Sequence, residues 1–155
     1  MLFFNLCEYV IHKSFGHRKN PMALPFYKRH TGDHHNFFSD SEMYFDRAQD
    51  WRVILFPPWL IVVIFLLLGV FYGLALLSMN FSALFCIAVL GSYLCYEIFH
   101  VCVHAPEGCW FTNLPWIRQV RYLHTIHHRC HLMADRNFNI LFPLTDVILK
   151  TIVLK

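Results

Sequence analysis

The chain has 155 residues, of which 57% are hydrophobic, 17% aromatic and only 15% charged. An average soluble domain carries roughly 25% charged and about 45–50% apolar residues, so this balance excludes a disordered chain and argues against an ordinary cytosolic domain. Eleven His stand where average usage gives about three or four, and a chain both apolar and histidine-rich points to metal chemistry at a membrane.

The net charge is +3, and all thirteen Lys and Arg lie outside Val53–Ile117. No basic block alternates with stacking aromatics, so a nucleic-acid partner is not expected. The six Cys form no C-x-x-C pair and show no secreted-domain spacing, and all are read as reduced.

In chain order, the first eleven residues, MLFFNLCEYVI, lack a basic leader and contain Glu8. They are neither a signal peptide nor long enough to span a bilayer. Two histidine groups follow: His12 and His17 in HKSFGH, then His30, His34 and His35 in HTGDHH. Five positions separate His12 from His17, about 140° around an α-helix, so Gly16 is expected to end the helix and let His17 turn inward. His30 and His34 share a face only if Gly32 does not break the turn.

From Trp59 to Ser78, behind Pro57 and Pro58, twenty residues carry no charge. As a helix they extend about 30 Å, the thickness of a hydrocarbon core. After Met79 and Asn80 a second apolar run covers Phe81 to Phe99, with Glu97 its only charge. The two runs predict a transmembrane hairpin at 59–78 and 81–99 with a two-residue break. Arg47 and Arg52 precede it and Arg118 and Arg121 follow it. Both ends are therefore expected on the cytoplasmic side, anchored by Trp51, Trp59, Trp110 and Trp116.

Beyond the hairpin come His100 and His104 in HVCVH, and His124, His127 and His128 in HTIHH. Residues four apart lie about 40° apart on a helix, so each group can form a comb on one face. Two groups precede the hairpin and two follow it, which gathers ten histidines on one side of the membrane. Neutral imidazole is a common ligand for Fe, Cu, Zn and Ni, and two metals with about five ligands each would use all ten. Only His131 stands apart. Glu8, one turn before His12, and Glu97, three residues before His100, are placed to fix imidazole tautomers, with Asp33 and Asp146 as weaker choices. The tail from Ile140 to Leu154, interrupted by Pro143, Asp146 and Lys150, reads as an interfacial or core-packing segment.

The order H-x4-H, H-x3-H-H, hairpin, H-x3-H, H-x2-H-H resembles the fatty acid hydroxylase and sterol desaturase superfamily. EYVIHKSFGHR, DWRVILFPPW, YEIFHVCVH, LPWIRQVRYLHTIHH and NFNILFPLTD look like segments of its small bacterial-type members. The resemblance implies an all-α integral membrane bundle, here a single domain over 1–155. It also implies a di-metal centre, usually di-iron, at the cytoplasmic face, with zinc an option in purified protein. His12, His17, His30, His34, His35, His100, His104, His124, His127 and His128 match the motif positions and inherit the ligand role.

The implied activity is hydroxylation of a fatty acyl chain with O2, using electrons from a separate cytochrome b5- or ferredoxin-type donor. Desaturation or hydroxylation of a sterol or carotenoid is the alternative within the superfamily, and a non-catalytic membrane metal-binding protein the alternative outside it. Tyr93, Tyr96 and Trp116 are candidate walls for an acyl groove.

Three departures from the pattern stand out. Larger members have about four spanning segments, so this chain reads as a compact member, a fragment or one that dimerises, and its oligomeric state stays open. The interval between His35 and Phe56 is longer than in the ceramide fatty acid 2-hydroxylases, so the α-carbon of the acyl chain is not singled out. Lys150 stands where relatives often have Gly.

Overall fold

The computed structural model describes residues 2–39, 41–56, 60, 63, 66 and 78–154, and among these every regular element is helical. The elements are α1 (Leu2–Ile11), α2 (Leu24–Tyr27), α3 (His35–Phe37), α4 (Trp51–Ile54), α5 (Met79–His104), α6 (Pro115–His127) and α7 (Leu144–Ile148). The first predicted span, 59–78, lies almost wholly outside the described residues.

Two stretches among the described residues are π-helical, and both carry histidines. α1 runs into a π-helical turn, His12–Gly16. A second π-helical segment, Lys28–His34, joins α2 to α3, where the His35 N–H bonds the His30 carbonyl five residues back. A π-turn stacks residues five apart, whereas an α-turn stacks residues three or four apart. Gly32 does not break the second segment; the helix widens through it.

α5 has 26 residues, about 39 Å at 1.5 Å per residue, and it is long and apolar enough to cross a membrane. Phe81, Leu84, Ile87, Leu94 and Ile98 on it are exposed, an outward apolar surface suited to lipid. The expected break at Met79 and Asn80 is corrected. Ser78 is the N-cap, its hydroxyl accepting from the Phe81 N–H at 3.5 Å, so Met79 and Asn80 form the first turn of α5.

At the other end of α5 the buried Arg121 of α6 donates to the carbonyls of Cys102 at 3.0 Å and Ala105 at 2.7 Å. A guanidinium there satisfies carbonyls that have no helical partner and favours the negative end of the helix dipole. The same guanidinium lies 4.3 Å from the Tyr44 ring centroid. This joins the 38–45 loop and α6 to the histidine-bearing end of α5.

α6 opens with Pro115 at its first position, where no amide donor is needed, and buries Val120, Leu123 and Ile126. A small core of Tyr96, Val103, Val120 and Ile140 forms where α5, α6 and the C-terminal loop meet. Phe38 and Phe138, both fully buried, pack against the histidine rings, Phe38 on His104 and Phe138 on His127.

The tail packs inward rather than lying free. α7 ends in a Schellman turn, in which the Lys150 N–H bonds the Val147 carbonyl and the Thr151 N–H the Asp146 carbonyl. Lys150 has φ 56° there. That is the left-handed position Gly fills most easily. Asn137, at φ 54°, holds the tail with its side chain, donating to the Leu123 and Val153 carbonyls and accepting from the Val153 N–H. All six Cys are free thiols.

Candidate metal centre

The ten histidines of the four motifs are all buried, and their rings interlock. Their ligand atoms fall into adjoining groups: His12, His17, His30, His35 and His127; His34, His100, His104 and His124; and a junction of His34, His35 and His128. His128 leans to the second group, its Nε2 lying 3.0 Å from that of His124, while its ring stacks on His35 at 4.1 Å. His131 is exposed and belongs to none of them.

Backbone geometry decides the partition. His12 and His17, and His30 and His35, are pairs five apart on π-turns, and both pairs enter the first group. His100 and His104, four apart on α5, enter the second with His124 of α6, while His128, four residues after His124 at the C-cap of α6, meets His34 and His35 at the junction. The H-x3-H-H motif is therefore split, with His34 facing α5 and its neighbours His30 and His35 facing α1. Gly16 permits the closest approach: a Cβ placed there would stand 2.8 Å from His30 Cδ2 and 3.4 Å from His12 Cδ2.

Backbone carbonyls orient four of the rings through Nδ1. His12 is held by Phe138 O at 2.5 Å, His104 by Met43 O at 2.7 Å, His127 by Arg136 O at 2.7 Å and His128 by Phe38 O at 2.6 Å. A carbonyl accepts only, so each Nδ1 carries the proton and each Nε2 presents a lone pair. Facing Nε2 pairs are 2.8 Å apart for His12 and His30, 3.0 Å for His17 and His127, 2.9 Å for His104 and His124, and 3.2 Å for His34 and His100. With metal–nitrogen bonds of about 2.1 Å, ligands at right angles sit ~3.0 Å apart, so the donor set fits a cation in each group. Convergent lone pairs without a cation would repel one another.

Electrostatics points the same way. Desolvation, and then repulsion among neighbouring rings, holds His17, His30, His34, His35, His124, His127 and His128 well below the ordinary imidazole range. His12, buried but bonded to a carbonyl, is lowered to about 4. These rings are neutral at physiological pH, the form that binds a metal.

The carboxylates expected to fix the imidazoles do something else. Glu8 accepts from the Ile140 N–H at 2.6 Å, the Leu141 N–H at 3.2 Å and the side chains of Asn139 and Asn5, and touches no histidine. Burial lifts its carboxyl to about 7 despite these bonds. Glu97 accepts from the Phe56 N–H and does not reach His100. Asp33 is exposed and pairs with Arg29 at 3.3 Å. In each case a backbone N–H or a nearby cation lies closer than an imidazole, and the tautomers are set by main-chain carbonyls instead.

Asp146, fully buried, acts on the backbone that bears one of those carbonyls. Sequence reasoning missed Asn5, Asn137 and Asn139, which brace the same loop; the only trace is the polar N-F-N beside an apolar run. Of the wall candidates, Tyr96 is buried one turn before His100 and stacks on Phe56 at 5.5 Å. Trp116 is partly exposed and packs on Phe142, away from the histidines.

Comparison with known proteins gives one match to a family: the sequence profile described as fatty acid hydroxylase fits residues 1–151. No curated protein sequence and no solved structure matches the chain.

Proposed function

This chain belongs to the fatty acid hydroxylase family, and we propose that it is a membrane-bound, histidine-ligated di-iron oxidoreductase that hydroxylates a fatty acyl or related lipid chain. The observation that carries the reading is the convergence of ten neutral imidazoles into two adjoining donor groups at the end of an apolar helix. His12, His17, His30, His35 and His127 would hold one metal and His34, His100, His104, His124 and His128 the other. When bound, the metal pair supplies the O2 activation that an unreactive C–H bond requires, because no acid–base group can attack such a bond.

The chain's own contribution is placement. α5 carries its apolar surface directly into His100 and His104, so an acyl chain lying in the bilayer meets the metals without crossing water. Phe38 and Phe138 close the histidines off from solvent. The oxidant is O2, and the electrons come from a separate donor of cytochrome b5 or ferredoxin type. The uncharged sequence run at 59–78 supports a second span beside α5, and the basic flanks support a metal centre on the cytoplasmic side.

The test is paired substitution. His104→Ala and His127→Ala, one from each group, are expected to lower metal content and abolish formation of hydroxylated lipid in an expressing strain, with membrane insertion intact. Full metal stoichiometry in both variants would remove the ligand assignment, and an unchanged lipid profile with wild-type protein would remove the hydroxylase assignment.

A further inference from the structure

We propose that Asp146 is a positioning residue for the first histidine group, acting on His12 through the peptide bond between Phe138 and Asn139. The inference rests on the reading of the histidines as metal ligands.

The geometry is a continuous relay. The Asn139 N–H donates to Asp146 Oδ2 at 2.7 Å, and the carbonyl of that same peptide, Phe138 O, accepts from His12 Nδ1. Oδ1 takes the Phe138 N–H at 3.1 Å and the Thr151 hydroxyl at 2.6 Å. Asp146 is completely buried, so its charge acts without solvent screening; burial pushes its carboxyl above the usual range, while the Thr151 hydroxyl, the two backbone N–H groups and the nearby Lys13 ammonium oppose that rise and favour the ionised form.

A carboxylate bonded to an amide N–H draws the amide proton outward and makes the carbonyl a stronger acceptor. A stronger acceptor at Nδ1 raises the basicity of the opposite nitrogen, as in the direct carboxylate–histidine–metal arrangement. Here one peptide group stands between carboxylate and imidazole. The neighbouring peptide shows the contrast. Arg136 O accepts from His127 Nδ1, but its amide partner, the Asn137 N–H, donates to the neutral Thr151 carbonyl at 3.3 Å. His12 is therefore the ring whose carbonyl has a buried charge behind it. Glu8 braces the same loop one residue further on, at the Ile140 and Leu141 N–H groups, without touching the Phe138–Asn139 peptide. Loop support and electronic support thus fall to different carboxylates and can be separated.

The experiment uses full-length protein in detergent, stripped of metal and titrated with Co2+, following the ligand-field absorption and retention against a chelator. Wild type, Asp146→Asn, Glu8→Gln, Thr151→Val and His12→Ala are compared. The expected result is two equivalents in wild type. In Asp146→Asn one of them binds about ten- to a hundredfold more weakly, with a shifted absorption band. Glu8→Gln lowers thermal stability and keeps the wild-type band.

Thr151→Val removes one donor from Oδ1 and leaves both backbone N–H bonds to Asp146 in place, so it holds Co2+ nearly as tightly as wild type. This arm stands even where Asp146→Asn does not fold, and a loss in it matching His12→Ala overturns the proposal. Wild-type binding in Asp146→Asn also overturns it, as does an equal weakening and band shift in Glu8→Gln. Fewer than two equivalents in wild type defeats the ligand reading itself, which is a separate failure.

Discussion

Replacing Gly16 by Ala puts the packing of the first histidine group to a direct test. The new methyl would stand 2.8 Å from His30 Cδ2. Carbon atoms rest at about 3.5 Å, so the ring has to retreat by roughly 0.7 Å. Cδ2 is bonded to Nε2, and the ligand atom moves with it. Metal sites tolerate displacements of about 0.5 Å, so affinity in this group should fall about tenfold to a hundredfold, or about 1.4–2.7 kcal/mol. The second group, built on α5 and α6, should keep its metal. The control is Gly32→Ala, in the other π-helical segment, where a methyl meets no heavy atom within 4 Å. Competition against a graded series of chelators, read as metal per chain, measures both variants. Full retention in Gly16→Ala, or an equal loss in Gly32→Ala, would refute the reasoning.

Three further outcomes are expected. Lys150→Gly should raise stability by about 0.5–1 kcal/mol in detergent unfolding, because relief of the left-handed strain exceeds the entropy glycine adds to the unfolded chain; a loss of stability would contradict the strained turn. Asn137→Ala removes three hydrogen bonds that pin the tail and should cost about 2–3 kcal/mol, measured the same way. Metal-free protein should melt at lower temperature at pH 5 than at pH 7.5. His12 falls from its ordinary value near 6.5 to about 4 on folding, and His30, His34, His35, His124, His127 and His128 fall well below it. The unfolded chain therefore binds the extra protons and stability drops as pH falls, outweighing the opposite effect of Glu8, which folding raises to about 7; a flat profile would count against buried neutral rings.

That the ten histidines come together was legible because histidine is scarce and its spacing was regular. How the ten divide was not, since a period of 3.6 assumes α geometry and nothing in HKSFGH or KRHTGDH announces a π-turn. His30 and His34 look like partners on an α-helix, whereas the widened turn pairs His30 with His35. The orienting groups left no signal because they are carbonyls of Phe38, Met43, Arg136 and Phe138, and any residue can supply one. Glu8 was found for the right neighbourhood and the wrong partner, because a carboxylate four residues from a histidine can equally serve a distant loop. The apolar run of α5 was read correctly, while its start moved to Met79 because Ser78 caps it. Lys150 could be noticed as a departure, but its left-handed turn is visible only once α7 is seen to end there.

Metal content per chain on detergent-purified wild-type protein, by elemental analysis with a visible spectrum alongside, tests the central claim most directly. Ten neutral imidazoles in two donor groups predict close to two metal ions per chain, no haem band, and loss of metal when His104 or His127 becomes Ala. One metal or none in wild type would contradict it, because the converging Nε2 atoms would then have no cation to hold them together.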